Sequence, residues 1–190
     1  MDTSKSLYEI EVALAKSSYF NFVRNIIAFN VNGISSKLPI WHECDMLVLS
    51  KSGYLTEIEI KRSWIDFLAD FKKEHHHESE LIKYFYYCVP MSILDKVYDY
   101  LYTNDVKYTG IITYTDDLLI RVHQKKLKPL FENGEVRYAS PAMDNYRKLF
   151  LEEQLELARY GAMRSILLKE KIIDLQKQLK ETEYEKQSII

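Results

Sequence analysis

The chain has 190 residues, enough to bury the core of one domain of ordinary size and to carry an appendage. Apolar residues make up 47% and charged residues 28%, a composition that is typical of soluble globular proteins and excludes an intrinsically disordered chain. The net charge of -2 gives no general attraction to nucleic acid, so any such binding must come from a local basic patch.

The cysteines and the hydropathy pattern indicate the compartment. Cys44 and Cys88 both lie in apolar stretches, and the absence of a C-x-x-C motif argues against a disulfide framework or a zinc knuckle. Buried thiols in a reducing compartment are the simpler interpretation. No signal peptide opens the sequence, and no segment approaches the ~20 apolar residues of a membrane span. We therefore expect a cytoplasmic protein with no membrane partner.

The first third of the chain predicts one helix and then three strands. Residues 4–24 begin with Ser and Thr cap candidates and repeat apolar residues at helical spacing, which predicts an amphipathic helix. Residues 25–32 are β-branched and aromatic, and they predict a strand that Gly33 closes. The apolar runs CDMLVLS and YLTEIEIK flank the turn-like residues 51–53, which is the pattern of a β-hairpin.

The remaining elements alternate before a long helical end. Residues 63–74 begin with a serine cap and predict a helix, the run KYFYYCV predicts a strand, and residues 91–103 predict another helix. The runs YTGIITYT and DLLIRVH predict two further strands. From about Pro141 onward, apolar residues keep helical phase among abundant Glu and Lys. The order α-β-β-β-α-β-α-β-β-α describes a mixed α/β domain with a long C-terminal helix.

The predicted hairpin carries the residues with the most chemistry. Because side chains alternate across a strand, Glu57, Glu59 and Lys61 lie on one face. If the hairpin turns about Ser52, Asp45 falls directly opposite Glu59, with Cβ atoms roughly 5 Å apart. Two carboxylates at that spacing repel each other, and a divalent cation with oxygen ligands would relieve the repulsion. The alternative is a solvated face of an edge strand, on which Glu–Lys pairing contributes little.

These segments resemble the PD-(D/E)xK nuclease superfamily, most closely its small resolvase-like members and the MmcB-like DNA-repair relatives. In those families a helix with a glutamate precedes an Asp-bearing strand, and the hairpin leads into a (D/E)-x-K strand followed by a helix. The matching segments here are LYEIEVALAK, ECDMLVLS, TEIEIK and SWIDFLADFKKE, and the similarity covers roughly residues 7–122. Cys44 stands where the motif has its proline.

The resemblance implies a restriction-endonuclease-like mixed sheet flanked by helices, and a DNA endonuclease that depends on Mg²⁺ or Mn²⁺. It assigns Asp45 and Glu59 as metal ligands, with Glu11 assisting from the first helix. Lys61 would orient or deprotonate the attacking water, or stabilise charge on the phosphate. Glu9 is the alternative helix carboxylate, although Glu11 lies closer to the apolar face.

Basic residues outside the hairpin are candidate phosphate contacts. In the family, the helix after the E-x-K strand ends beside the DNA backbone, and a second basic cluster follows the last strand of this chain. A solvated loop over residues 75–77 and a charged connector explain the same residues without DNA, and we expect that loop rather than a zinc site. The predicted contacts are Lys72, Lys73, His75, Arg121, Lys125 and Lys126.

We divide the chain into a nuclease-like domain over residues 1–139 and a helical arm over residues 140–190. The arm could pair with a second copy, since resolvase-like nucleases commonly work as dimers, or it could fold back over the domain. Two other functions fit the sequence. One is a non-catalytic DNA-binding or repair-accessory module on the same fold, and the other is an interaction protein organised by the C-terminal helix.

Overall fold

The computed structural model describes residues 5–73, 77, 79–106, 108–123 and 145–187. Its element order confirms the predicted mixed α/β architecture, with one additional four-residue helix after the first strand. The elements are α1 (Leu7–Lys16), β1 (Ile26–Asn32), α2 (Gly33–Ser36), β2 (Glu43–Leu49), β3 (Leu55–Ile60), α3 (Trp64–Asp70), β4 (Ile82–Pro90), a 3₁₀ turn (Met91–Ile93), α4 (Leu94–Thr103), β5 (Gly110–Tyr114), β6 (Ile120–His123) and α5 (Leu151–Gln187).

The six strands form one mixed sheet in the order β1-β2-β3-β4-β5-β6. Neighbours β1 and β2, β2 and β3, and β5 and β6 run antiparallel, as short connections require. The pairs β3–β4 and β4–β5 run parallel, and each needs a crossover, which α3 and α4 supply. Strand β3 therefore lies in the middle of the sheet, with an antiparallel neighbour on one side and a parallel one on the other.

Helices cover both faces of the sheet because alternate strand residues are apolar on each side. On the face that we call the α3 face, Leu47 packs in a cluster with Phe67 of α3 and with residues of α4 and α5. On the opposite α1 face, Met46 packs with Ile10 and Leu14 of α1. The two clusters give a three-layer arrangement, with β2 and β3 buried between the layers.

Helix α1 is shorter than the predicted helix over residues 4–24. It begins after Ser6, whose side chain and that of Glu9 form a reciprocal capping box, and it ends at Lys16. The Ser17 hydroxyl donates to the Leu14 carbonyl oxygen at 2.7 Å, and the peptide N–H of Phe20 donates to that hydroxyl. These local bonds satisfy the last turn and lead the chain into turns before β1.

The first turns of α5 belong to the core, while the rest is exposed. Leu157 and Tyr160 are buried, and the Tyr160 hydroxyl donates to the Asn30 carbonyl oxygen at 2.7 Å. A Cβ at Gly161 would lie 3.3 Å from the Ile27 carbonyl oxygen, so glycine permits this close approach to β1. The described side chains from residue 165 to residue 179 are exposed. No helix in the described part of the chain is long and apolar enough to cross a membrane.

Candidate functional site

The hairpin has the register that the sequence predicts. Met46 pairs with Ile58 and Leu49 with Leu55, and the paired ladder ends at Met46 and Ile58, with Asp45 and Glu59 as the next residues on the two strands. The peptide N–H of Ile60 donates to Asp45 Oδ2 at 2.7 Å, and the peptide N–H of Asp45 lies 3.4 Å from Glu59 Oε1, which accepts it. Each carboxylate is therefore tied to the other's strand at the open end of the hairpin.

The glutamates of β3 are deeply buried, so the alternative of a solvated edge strand is wrong. Glu57 is 0% and Glu59 is 3% exposed, and β3 is a central strand of the sheet. By alternation from Leu55 of the same strand, both side chains lie on the α3 face. Buried carboxylates require partners, and Glu57 and Glu59 have different ones.

Lys61 is the first partner of Glu59. Its ammonium nitrogen donates to Glu59 Oε2 at 3.0 Å and to Asp70 Oδ1 at 2.7 Å, and the side chain is almost completely buried. Burial alone would lower the pKa of Lys61, but the charge of Glu59 and the hydrogen bond with Asp70 reverse the effect and raise it. Lys61 is therefore a fixed cation in this arrangement.

Asp70, at the end of α3, was not predicted as a site residue, yet it receives more hydrogen bonds than any predicted ligand does. The Tyr87 hydroxyl, His77 Nε2 and Lys73 Nζ lie within 2.7–2.8 Å of its oxygens, in addition to Lys61. Burial raises the pKa of Asp70, but these bonds hold it well below its usual range. A signal was available, because Asp70 lies three residues after the buried Phe67 and so on the inner face of α3.

Two histidines surround Glu57. His42 Nε2 and His77 Nδ1 both donate to Glu57 Oε1, at 2.7 and 2.8 Å, and Cys44 Sγ lies 3.4 Å from His42 Nε2. Glu57 Oε2 is buried and has no hydrogen-bond partner among the described residues. The His77 side chain is 16% exposed, so the expected solvated loop is wrong at this position.

The same contacts set the charges of this group. Burial opposes the charged form of His77, but bonds to Asp70 and Glu57 raise its pKa to about 10. Burial likewise opposes ionisation of Glu57, and the bonds from His42 and His77 lower its pKa. Burial and the charge of Glu57 raise the pKa of the Cys44 thiol. Glu57 and His77 thus form a buried ion pair.

The three predicted metal ligands are poorly stabilised as anions. Burial and the negative charges of Asp45 and Glu57 raise the pKa of Glu59 to about 7. Burial raises the pKa of Asp45, although the Ile60 N–H opposes the shift. Burial also raises the pKa of Glu11 to about 7; the Asn30 amide, 3.4 Å away, opposes this, and the charge of Asp45 adds to it. A nearby cation would favour all three ionised forms.

The structure separates the two helix carboxylates. Glu9 accepts hydrogen bonds from Ser6 at the start of α1 and is exposed. Glu11 is 5% exposed and close enough to Asp45 for the two charges to interact. Of the two candidates, only Glu11 faces the interior.

Metal-ligating atoms come together in two sets within the described parts of the chain. His42, Cys44 and Glu57 form one, and Glu57, Glu59 and His77 form the other, with the ligand atoms of each set within 4.8 Å of one another. Of the three predicted metal ligands, Glu59 belongs to the second set, whereas Asp45, whose peptide N–H bonds to Glu59, and Glu11 belong to neither set. The first set mixes nitrogen, sulfur and oxygen donors, whereas the carboxylates at the hairpin end offer oxygen alone.

The predicted nucleic-acid contacts are divided by the fold. Lys73 reaches Asp70 with a half-exposed side chain, and Lys72 is exposed beside it. Arg121 is exposed on β6, three strands away from β3. The other three, His75, Lys125 and Lys126, lie outside the described residues. The fold therefore brings Lys73 to the site and leaves Arg121 at the far edge of the sheet.

Comparisons with known proteins support the fold alone. No protein-family model matches the chain, and no curated protein is similar enough to count as a relative. A solved structure of a protein of unknown function from Silicibacter pomeroyi is similar over 88% of this chain and 90% of its own, with a TM-score of 0.53 and 14% sequence identity. The likeness agrees with the α/β architecture described above.

Proposed function

We propose that this protein is a metal-dependent phosphodiesterase that cleaves DNA, of the PD-(D/E)xK type. The observation that carries the proposal is that the Asp45 and Glu59 carboxylates each accept a peptide N–H from the other's strand at the open end of the hairpin, with the Lys61 ammonium bonded to Glu59. The order of helix, Asp-bearing strand, hairpin, E-x-K strand and helix supports it, because the nuclease superfamily arranges its site in that order.

The donor set suits a hard divalent cation. Asp45 and Glu59 would hold Mg²⁺ or Mn²⁺, since both ions favour carboxylate oxygens, and Glu11 would assist from α1 through its charge interaction with Asp45. Their raised pKa values reflect burial and mutual repulsion, and a dication would offset both. When bound, such an ion supplies a polarised phosphoryl oxygen and a water of lowered pKa.

Of the roles that the sequence allowed for Lys61, stabilising charge on the phosphate fits its surroundings better than deprotonating water. Its raised pKa and its bonds to Glu59 and Asp70 keep the ammonium protonated, so it is a poor acceptor for a proton from water. We assign it to stabilising negative charge that develops on the phosphate, as a donor held in place before the substrate arrives. Asp70 fixes the direction of that donor, because it binds Lys61 through one oxygen and Tyr87 and His77 through the other.

The exposed side of the site carries a lysine that would contact the DNA backbone. Lys73 is bonded to Asp70 but keeps about half of its side chain accessible, which places a second cation at the rim of the buried network. A phosphate contact from Lys73 would add salt-dependent affinity without reading sequence. The site therefore combines an internal cation for the reaction with a peripheral one for binding.

The test is cleavage of branched, nicked, linear and single-stranded DNA with Mg²⁺ or Mn²⁺, by the parent and by Lys61→Ala. We expect the substitution to lower the cleavage rate about 10²- to 10³-fold, the cost of losing a donor aimed at developing charge. Lys51→Ala is the matched control, because Lys51 is exposed in the turn at the other end of the hairpin. Equal cleavage by Lys61→Ala and the parent would refute the proposal, and DNA binding without metal-dependent cleavage would favour the accessory module.

A further inference from the structure

A second group of ligands lies on β2 and β3, beside the carboxylates of the proposed nuclease site. His42 and Cys44 are two residues apart at the start of β2, and the Glu57 carboxylate from β3 is bonded to His42. His77 joins from the chain after α3 and bonds to the same carboxylate oxygen. The four side chains offer two imidazoles, a thiol and a carboxylate.

We propose that His42, Cys44 and Glu57, whose ligand atoms lie within 4.8 Å of one another, form a binding site for a transition-metal ion of the Zn²⁺ class, and that His77 joins it beside the Glu57 carboxylate to which it is bonded. Nitrogen and sulfur donors select Zn²⁺ and similar ions over Mg²⁺, which prefers oxygen. The site would therefore be chemically distinct from the carboxylate site at Asp45 and Glu59. It does not depend on the proposed nuclease function.

The spacing of the donors is close to what such an ion requires. Cys44 Sγ and His42 Nε2 are 3.4 Å apart. Usual zinc bond lengths at a tetrahedral angle place a sulfur and a nitrogen ligand roughly 3.6 Å apart. The two histidine nitrogens lie 2.7 and 2.8 Å from Glu57 Oε1 and would need to open by about 0.5 Å to become ligands beside it, given a nitrogen–oxygen edge of roughly 3.3 Å.

An unpartnered atom points independently to a missing ligand. Glu57 Oε2 is buried and has no hydrogen-bond partner among the described residues, while Oε1 of the same carboxylate accepts from two imidazoles. An unsatisfied buried acceptor costs about 1–3 kcal/mol. A cation bound to this carboxylate would remove that cost, whereas the hydrogen bonds among the described residues leave it in place.

The outer partner of His77 also fits a metal ligand. His77 directs Nδ1 at Glu57 and Nε2 at Asp70 Oδ2, 2.8 Å away. Metal-bound histidines usually donate their second ring N–H to a carboxylate, which fixes the ring and its tautomer. With Nδ1 as ligand, the bond to Asp70 would serve this purpose, and the ring is further held by stacking on Phe85.

The experiment is a Co²⁺ titration of the metal-free full-length protein, followed by displacement with Zn²⁺. We expect a sulfur-to-cobalt charge-transfer band that saturates at one equivalent and disappears when Zn²⁺ is added. Cys44→Ser should lose the band, whereas Cys88→Ser, which alters the other buried cysteine, should keep it. If the parent shows no band, these residues form a hydrogen-bond network alone, and the proposal is overturned. Persistence of the band in Cys44→Ser would also overturn it.

Two further variants keep the result interpretable. His42→Gln should lower Zn²⁺ affinity by more than the roughly 10- to 100-fold typical of changes outside the ligand shell, even if Cys44→Ser does not fold. Parental affinity in His42→Gln would contradict the assignment. Asp45→Asn should leave the sulfur band unchanged while it abolishes DNA cleavage, so failure of this site and failure of the nuclease site give different results.

Discussion

Glu57 and Glu59 lie two residues apart on the same strand and face, and both are buried, yet they have opposite electrostatic surroundings. Two imidazoles donate to Glu57, and its pKa is lowered. Glu59 has Asp45 and Glu57 as neighbours and one bond from Lys61, and its pKa rises to about 7. Burial penalises both anions, so neighbouring charges decide which carboxylate the protein keeps ionised without a cation.

Asp70 links the two surroundings. One of its oxygens accepts from Lys61, which also bonds to Glu59, and the other accepts from His77, which also bonds to Glu57. The half around Glu57 is close to charge-balanced by protein groups, whereas the half around Glu59 has more acids than bases within reach. The difference explains why an oxygen-preferring dication is expected beside Glu59, whereas the group around Glu57, with its nitrogen and sulfur donors, suits an ion of the Zn²⁺ class.

The largest expected effect comes from removing Glu57, the carboxylate that is bonded to two imidazoles. Glu57→Ala leaves the His77 imidazolium buried without one of its two partners, and losing one member of a buried ion pair costs about 3–5 kcal/mol. Urea unfolding of the metal-free protein would measure it. Glu43→Ala, at an exposed position of β2, is the control and should change stability by less than about 0.5 kcal/mol. Equal stabilities for the two variants would show that the ion pair contributes nothing.

The pH dependence of stability should identify Glu59 as the unsatisfied partner. Its folded pKa of about 7 lies above the ordinary glutamate value of 4.5, so the folded state binds the proton more tightly. The metal-free protein should therefore lose stability from this group as pH rises from 4.5 to 7. Glu59→Gln should remove that loss, about 3 kcal/mol over the range, as shown by unfolding midpoints measured from pH 4.5 to 7. An identical pH profile for Glu59→Gln and the parent would be evidence against a strained carboxylate.

The smallest effect concerns one hydrogen bond to Asp70, the residue that joins the two halves. Tyr87→Phe removes one hydrogen bond to Asp70 and leaves those from Lys61 and His77 in place. We expect a loss of about 1 kcal/mol, the usual net value of a hydrogen bond, and little change in ring packing with Phe67. Thermal unfolding compares the variant with the parent, and a loss as large as that of Glu57→Ala would mean that Tyr87 has a larger role than the network indicates.

The sequence predicted most of the fold because its signals are local. Alternation identified the strands, and the turn at residues 51–53 determined the register that brings Asp45 and Glu59 to the same end of the hairpin. Helix ends were less predictable. Residues 17–24 were predicted as part of the helix, but serine and asparagine hydrogen bonds end α1 at Lys16.

The partners of the site were harder to predict because they are distant in sequence. His42 and His77 lie 15 and 20 residues from Glu57, and no short motif connects them. The run of histidines at residues 75–77 suggested a solvated loop, yet the His77 side chain is largely buried and bonds to the Glu57 and Asp70 carboxylates. Glu11 differs, since helical phase alone placed it nearer the core than Glu9.

The central claim is that Asp45 and Glu59 hold a divalent cation beside Lys61, and Mn²⁺ binding tests it most directly. Electron paramagnetic resonance counts the free ion during titration of the parent, Asp45→Asn and the control Glu43→Gln. We predict that the parent and Glu43→Gln bind Mn²⁺ alike and that Asp45→Asn binds it at least about 10-fold more weakly, a loss of about 1.4 kcal/mol. Equal binding by Asp45→Asn and the parent would contradict the account.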